Sequence, residues 1–161
     1  MRKFLPIVIA CGLAGCANAP TPQTAQQKTA NTDEAITAAL LPGTSRIKGQ
    51  AFAKTANGEV RYAAGVQIYL LPKTPYVETC MNTAPPANAS CTQKLAQFRL
   101  PTMADDTGHF EYLKLKPGNY YLEATMPWGV ASQGGTMRPG GIFHTQVKIE
   151  TDDQTVDTVI D

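Results

Sequence analysis

From Ser45 onward the chain breaks into short stretches in which apolar and polar residues alternate, and each stretch stops at Gly, Pro or Asn. Period two is the repeat of a strand with one buried face, whereas a helix repeats every 3.6 residues. This texture limits the region to a sheet protein. The alternation places strands over 47–54, 60–62, 66–71, 95–102, 109–115, 120–126, 143–149 and 155–160. Seven or eight strands of this length is the count of a β-sandwich, so the fold class expected is all-β. About 115 residues is enough to bury a core between two such sheets.

The first fifteen residues have a different character. Two cations, Arg2 and Lys3, precede a mostly apolar run from Phe4 to Gly15. That run is shorter than the ~20 residues a membrane-spanning helix needs, and polar, Pro-containing sequence follows at once. The layout is that of a signal peptide. The segment Leu13-Ala14-Gly15-Cys16 resembles the bacterial lipobox. The resemblance implies cleavage before Cys16, a diacylglyceryl group on its thiol and an acylated amino terminus. Two or more acyl chains anchor a protein stably to a bilayer. Ala17 follows, where an Asp would resemble an inner-membrane retention signal, so the outer membrane is the expected address, with the protein facing the periplasm.

The mature chain would run from Cys16 to Asp161 and lose Arg2 and Lys3, leaving 12 basic and 13 acidic residues, a net charge of −1. A near-neutral chain lacks the basic footprint of a nucleic-acid binder, and no nucleic-acid partner is expected. Of the four cysteines, Cys11 leaves with the signal and Cys16 carries lipid. Cys80 and Cys91 remain. An even pair in an exported chain reads as a disulfide. The spacing is not Cys-x-x-Cys and no His lies nearby, which disfavours a metal or redox pair. A loop this short stabilises by roughly 2–3 kcal/mol.

Residues 17–31 show no apolar periodicity and read as a flexible tether. Thr32-Asp33-Glu34 could cap a short helix running to Leu41, stopped by Pro42-Gly43. The domain division expected is therefore signal 1–15, lipidated Cys and tether 16–44, and sandwich 45–161.

Two stretches carry a family pattern. One joins Gly49 to Gly65-Val66-Gln67-Ile68-Tyr69-Leu70-Leu71-Pro72-Lys73-Thr74-Pro75-Tyr76. The other, Asp105 to Leu122, contains D-x-x-G-x-F followed by L-x-P-G-x-Y. Together they resemble the carboxypeptidase regulatory-like domain, a seven-stranded sandwich of the transthyretin (prealbumin-like) type. The resemblance covers roughly residues 45–126 and concerns scaffold positions, so it speaks for a fold more than an activity. Asp106-Thr107-Gly108 reads as a tight turn, after which Phe110, Tyr112 and Leu115 face one side. The insert 74–94, with the Cys pair and Pro85-Pro86, is longer than a hairpin connection.

Candidate chemistry is sparse. His109, His144 and Glu111 could be imagined as zinc ligands, but zinc wants three or four convergent groups, and exposed or edge histidines are the simpler reading. Asp105-Asp106 and Asp152-Asp153 lack the further spaced oxygens of a calcium loop. No serine elbow, phosphate loop or dinucleotide fingerprint is present. The transthyretin fold includes hydroxyisourate hydrolases, yet the chain ends Asp157-Thr158-Val159-Ile160-Asp161 rather than in their Tyr-Arg-Gly-Ser run. An isopeptide bond from Lys48 or Lys54, assisted by Glu123, lacks a final-strand Asn. No metal, cofactor or catalytic residue is therefore expected. The connection 127–141 holds the single Trp, Trp128, with Arg138 and five glycines. Long connections often carry function, and Trp and Arg anchor interfaces. Trp128 and Arg138 are the expected partner-binding residues, with Tyr76 beside the disulfide a second candidate. The expected role is a non-enzymatic binding or scaffold module, held to the membrane by lipid and meeting an envelope protein or cell-wall partner. The alternative is an accessory or glycan-binding domain that supports an envelope enzyme.

Overall fold

The computed structural model describes residues 25–55, 58–83, 89–126, 130–131, 137–138 and 141–161. It is a β-sandwich with a helical layer on one side. Chain order is α1 (Ala25–Ala39), β1 (Ser45–Lys54), β2 (Val60–Tyr62), β3 (Gln67–Pro72), α2 (Pro75–Met81), α3 (Ala89–Leu95), β4 (Leu100–Met103), β5 (His109–Leu115), β6 (Gly118–Thr125), β7 (Val130–Ala131), β8 (Met137–Arg138), β9 (Ile142–Ile149) and β10 (Thr155–Ile160). Seven of the eight longer strands occupy the positions the alternation marks out, and β4 covers only the end of its expected stretch. Cys16 and Trp128 lie outside the described residues.

β1 is the centre of the first sheet. It pairs in parallel with β10 and antiparallel with β5, Gln50 lying opposite both Val159 and His109. β2 continues the pairing from Phe52 to Lys54. The second sheet runs β4-β3-β6-β9, antiparallel throughout. Ile47 and Ala51 of the first sheet meet Ile68, Leu70, Tyr120 and Leu122 of the second in the main core.

The motif residues have structural roles. Gly49 lies under the Phe110 ring, where an added Cβ would come within 2.2 Å of it. Gly108 closes the turn with φ +79°, and its carbonyl accepts from the Ala51 N–H at 2.8 Å. Asp105 holds that turn. Its Oδ1 accepts from the Thr107 N–H and hydroxyl and from the His109 N–H, which lowers the carboxyl's pKa, the Thr107 hydroxyl contributing most. On β5, two steps of β1 (Ser45 to Ile47) face three steps (Tyr112 to Leu115). Lys114 takes the left-handed conformation, φ 59°. This bulge is what lets Leu115 face the core with Phe110 and Tyr112. After Pro117-Gly118, the Tyr120 hydroxyl donates back to the Lys116 carbonyl at 2.8 Å, the tyrosine-corner arrangement.

β6 is buried on both faces. Its outward Tyr121, together with Leu71, joins a second core with Ile36 of α1, Val77 and Cys80 of α2 and Leu95 of α3. Here the structure departs from expectation in three ways. The segment expected as tether is helical from Ala25 onward. Ala, Gln and Lys are good helix formers, and a polar composition alone does not separate an exposed helix from coil. The 74–94 insert contains two short helices. Leu95, expected to open a strand, ends α3 and is buried, so β4 begins only at Leu100. No helix among the described residues is long and apolar enough to cross a membrane.

Candidate functional site

The outer face of the second sheet is covered unevenly. Strand register lines up Leu71, Tyr121 and Gln146 on one rung and Tyr69, Glu123 and His144 on the next. The helices bury Leu71 and Tyr121 of the first rung. The second borders a groove of about 430 Å³.

One wall of the groove is the helical insert. Thr74 caps α2, its hydroxyl accepting from the Val77 N–H at 3.3 Å, and Pro75 occupies the first turn, a sequence signal for a helix start. A disulfide between Cys80 and Cys91, with Cα atoms 5.5 Å apart, joins α2 to α3, as the Cys count implied. Met81 and Leu95 extend this apolar wall, and Ile142 and His144 of β9 form the opposite rim. Both rim residues are exposed.

Glu123 lies at the base. Only 4% of it is exposed, and it is the single acidic residue in the run Tyr120–Met126. Arg99, which follows α3, reaches it with Nη2 at 3.0 Å from Oε1 and 3.4 Å from Oε2. The guanidinium also lies over the Tyr69 ring, 5.3 Å from its centroid, and the Tyr69 hydroxyl donates to Gln67 at 2.6 Å. A buried ion pair carries a large desolvation cost. The geometry offsets part of it, but Arg99 Nε is buried without a hydrogen-bond partner. The His144 ring makes no hydrogen bond or ion pair among the described residues. The groove thus sets a mostly apolar wall, with Asn82, Thr83 and Thr92 also lining it, against one carboxylate, one guanidinium and one imidazole.

The expected site residues distribute unequally about this groove. Cys80 and Cys91 line it. Tyr76 does not; its ring is half-buried beneath the Lys94 ammonium, 5.1 Å away, while Lys94 bonds Asp33 of α1 at 2.6 Å, so Tyr76 helps tie the three helices together. Arg138 is described in its backbone only, opposite Val130 in the β7–β8 pair. This pair lies within the connection between β6 and β9, and Ile142, which opens β9, faces the disulfide insert across the groove. His109 and His144 are not brought together, since they lie on the outer faces of different sheets. Glu111 ion-pairs with Arg46 and Lys48. A second, shallow recess of about 580 Å³ crosses the first sheet near Lys48, His109 and Asp157, but its polar groups are surface ones, several of them already paired with each other. Arg99 and Tyr69 carried no individual sequence signal. Glu123 did, as a lone charge in an apolar strand.

No family model matches the chain, and no curated protein does. Among solved structures, it is similar to a candidate carbohydrate binding protein from Pseudomonas aeruginosa, with a TM-score of 0.54 and 19% identity over 76% of this chain and 92% of that one. It also aligns with the major pilin subunit of Bacillus cereus (TM-score 0.43, 18% identity, 74% of this chain) and a 9R-lipoxygenase from Cyanothece (0.36, 10%, 84%). It spans only 29% and 20% of those two longer proteins. At such identity the first likeness speaks for the fold alone, and that fold is the β-sandwich described above.

Proposed function

We propose that the chain is a lipid-anchored, non-enzymatic binding module that holds saccharide of the cell envelope at the periplasmic face of the outer membrane. The observation that carries the reading is the Glu123–Arg99 pair and His144, which line a groove together with Met81, Leu95, Ile142 and the Cys80–Cys91 bridge, with Asn82, Thr83 and Thr92 adding polar lining. Ligand sites combine apolar walls with a few convergent polar groups. A sugar ring presents apolar C–H faces and a rim of hydroxyls that both donate and accept, which suits this mixture. The similar protein from Pseudomonas aeruginosa, itself described as a candidate carbohydrate binding protein, supports the same class of ligand, and the lipobox-like Leu13–Cys16 supports the anchor. Binding fits the groove better than hydrolysis. Glycosidases as a rule need two carboxyl groups some 5–10 Å apart. Among the described lining residues Glu123 is the single carboxylate, and Arg99 occupies it.

The test is calorimetric titration of the oxidised mature chain with soluble envelope saccharides. Saturable binding that weakens several-fold in Ile142→Ala or His144→Ala supports the proposal. Both side chains are exposed, so the fold should tolerate their loss. If no saccharide class binds, or if binding ignores both substitutions, the groove is not the site.

A further inference from the structure

We infer that the groove selects N-acetylated amino sugars over sugars lacking the acetamido group, an inference that rests on the saccharide reading above. An acetamido group has three parts: an N–H that donates, a carbonyl that accepts and a methyl that prefers an apolar contact. The groove offers a counterpart to each within one rung and its wall. The Glu123 carboxylate can accept four hydrogen bonds, and within the described residues only Arg99 Nη2 donates to it. Arg99 keeps a further nitrogen, Nη1, that meets no acceptor among the described residues, and the His144 ring is likewise uncommitted among them. Donor and acceptor therefore stand side by side, as an amide requires. Leu95, Met81, Ile142 and the Cys80–Cys91 bridge supply the apolar surface for a methyl.

Charge points the same way. Arg99 and Glu123 neutralise each other at the base of the groove, so neither a free carboxylate nor a free ammonium on the ligand meets an unopposed partner. A neutral, polarised group is the best match. A sugar with only a hydroxyl at that position would leave the apolar wall uncovered, and one with a free amine would lack both the methyl that covers this wall and the carbonyl that Arg99 and His144 engage.

The discriminating experiment uses three oligosaccharides of equal length with the full mature chain: an N-acetylglucosamine oligomer, its deacetylated counterpart and a glucose oligomer. The N-acetylated form is expected to bind roughly tenfold or more tighter than either, the ratio that a satisfied buried polar pair and a covered methyl together provide. Removing Arg99 alone could unfold the chain by orphaning Glu123. The double substitution Arg99→Met with Glu123→Met replaces the pair by apolar volume and should keep the fold while erasing the preference. His144→Ala should reduce it. Equal affinity for all three oligomers overturns the acetamido inference and leaves the saccharide reading standing. No binding to any of them overturns both. Binding of a short alanine-containing peptide amide in place of the sugars also overturns the inference, since the amide recognised would then be a peptide's.

Discussion

Tyr112 shows how one side chain fastens the two sheets. It belongs to β5 of the first sheet, and its hydroxyl crosses the core to donate to the carbonyls of Ile68 at 2.8 Å and Leu100 at 3.0 Å on the second. Tyr112→Phe leaves both acceptors short of a donor and should destabilise by about 1–2 kcal/mol in chemical denaturation. Burial also pushes the phenol's pKa well above its ordinary value, and that of Tyr120 in the same direction. The folded state therefore keeps its proton when the unfolded state has lost it. Stability from this source is complete below about pH 10 and falls away as pH rises through the ordinary phenol range and on toward the folded value. Thermal melts should show an alkaline decline above about pH 10 that is shallower in Tyr112→Phe. An identical decline would assign the effect elsewhere. Phe110 and Tyr112 were legible as one face from period two, whereas Leu115, three residues further on, joins that face only through the bulge at Lys114, which no local pattern announces. Glu123 stood out as a charge in an apolar run, but its partner Arg99 lies 24 residues away, beyond any local pattern.

At the scale of elements, strands were legible and short helices were not. β1 and β5 alternate because one face of each meets the core, whereas the end of β3 at Leu71 is buried on its second face as well. β6 does not alternate, since helices cover its second face. α2 and α3 are seven residues each, too short to display a helical repeat, although Thr74-Pro75 marks the start of α2 in the sequence. The disulfide does for these helices what length cannot. Replacing Cys80 and Cys91 by Ser should lower stability by roughly 2–3 kcal/mol and weaken saccharide binding, while the β-sheet circular dichroism persists because the main core lies on the far side of the sheet. Binding that survives undiminished would show that the groove wall stands without the bridge. Of the expected interface residues, only Tyr76 has a described side chain, and its ring braces the helices.

For the whole molecule, the proposed anchor and the sandwich make separable contributions. A Cys16→Ser chain should appear unprocessed or in the soluble envelope fraction, and its purified sandwich should melt at an unchanged temperature. A processed, membrane-bound Cys16→Ser chain would remove the lipid from the proposal. The proposed address rests on a linear signal, the lipobox-like Leu13–Cys16, and is read directly from the sequence. The groove has no such signal, because it assembles α2, α3, β6 and β9 from three separate stretches. One pairing has a further consequence in time. Ser45 at the start of β1 bonds Gln154, 109 residues away, just before the parallel ladder with β10 begins. Closing so long a loop is entropically slow. One edge of β1 therefore stays unpaired until β10 has joined it, so the chain is susceptible to chaperones and proteases until that ladder closes. Ile160, buried in the main core, is among the residues that end that exposure.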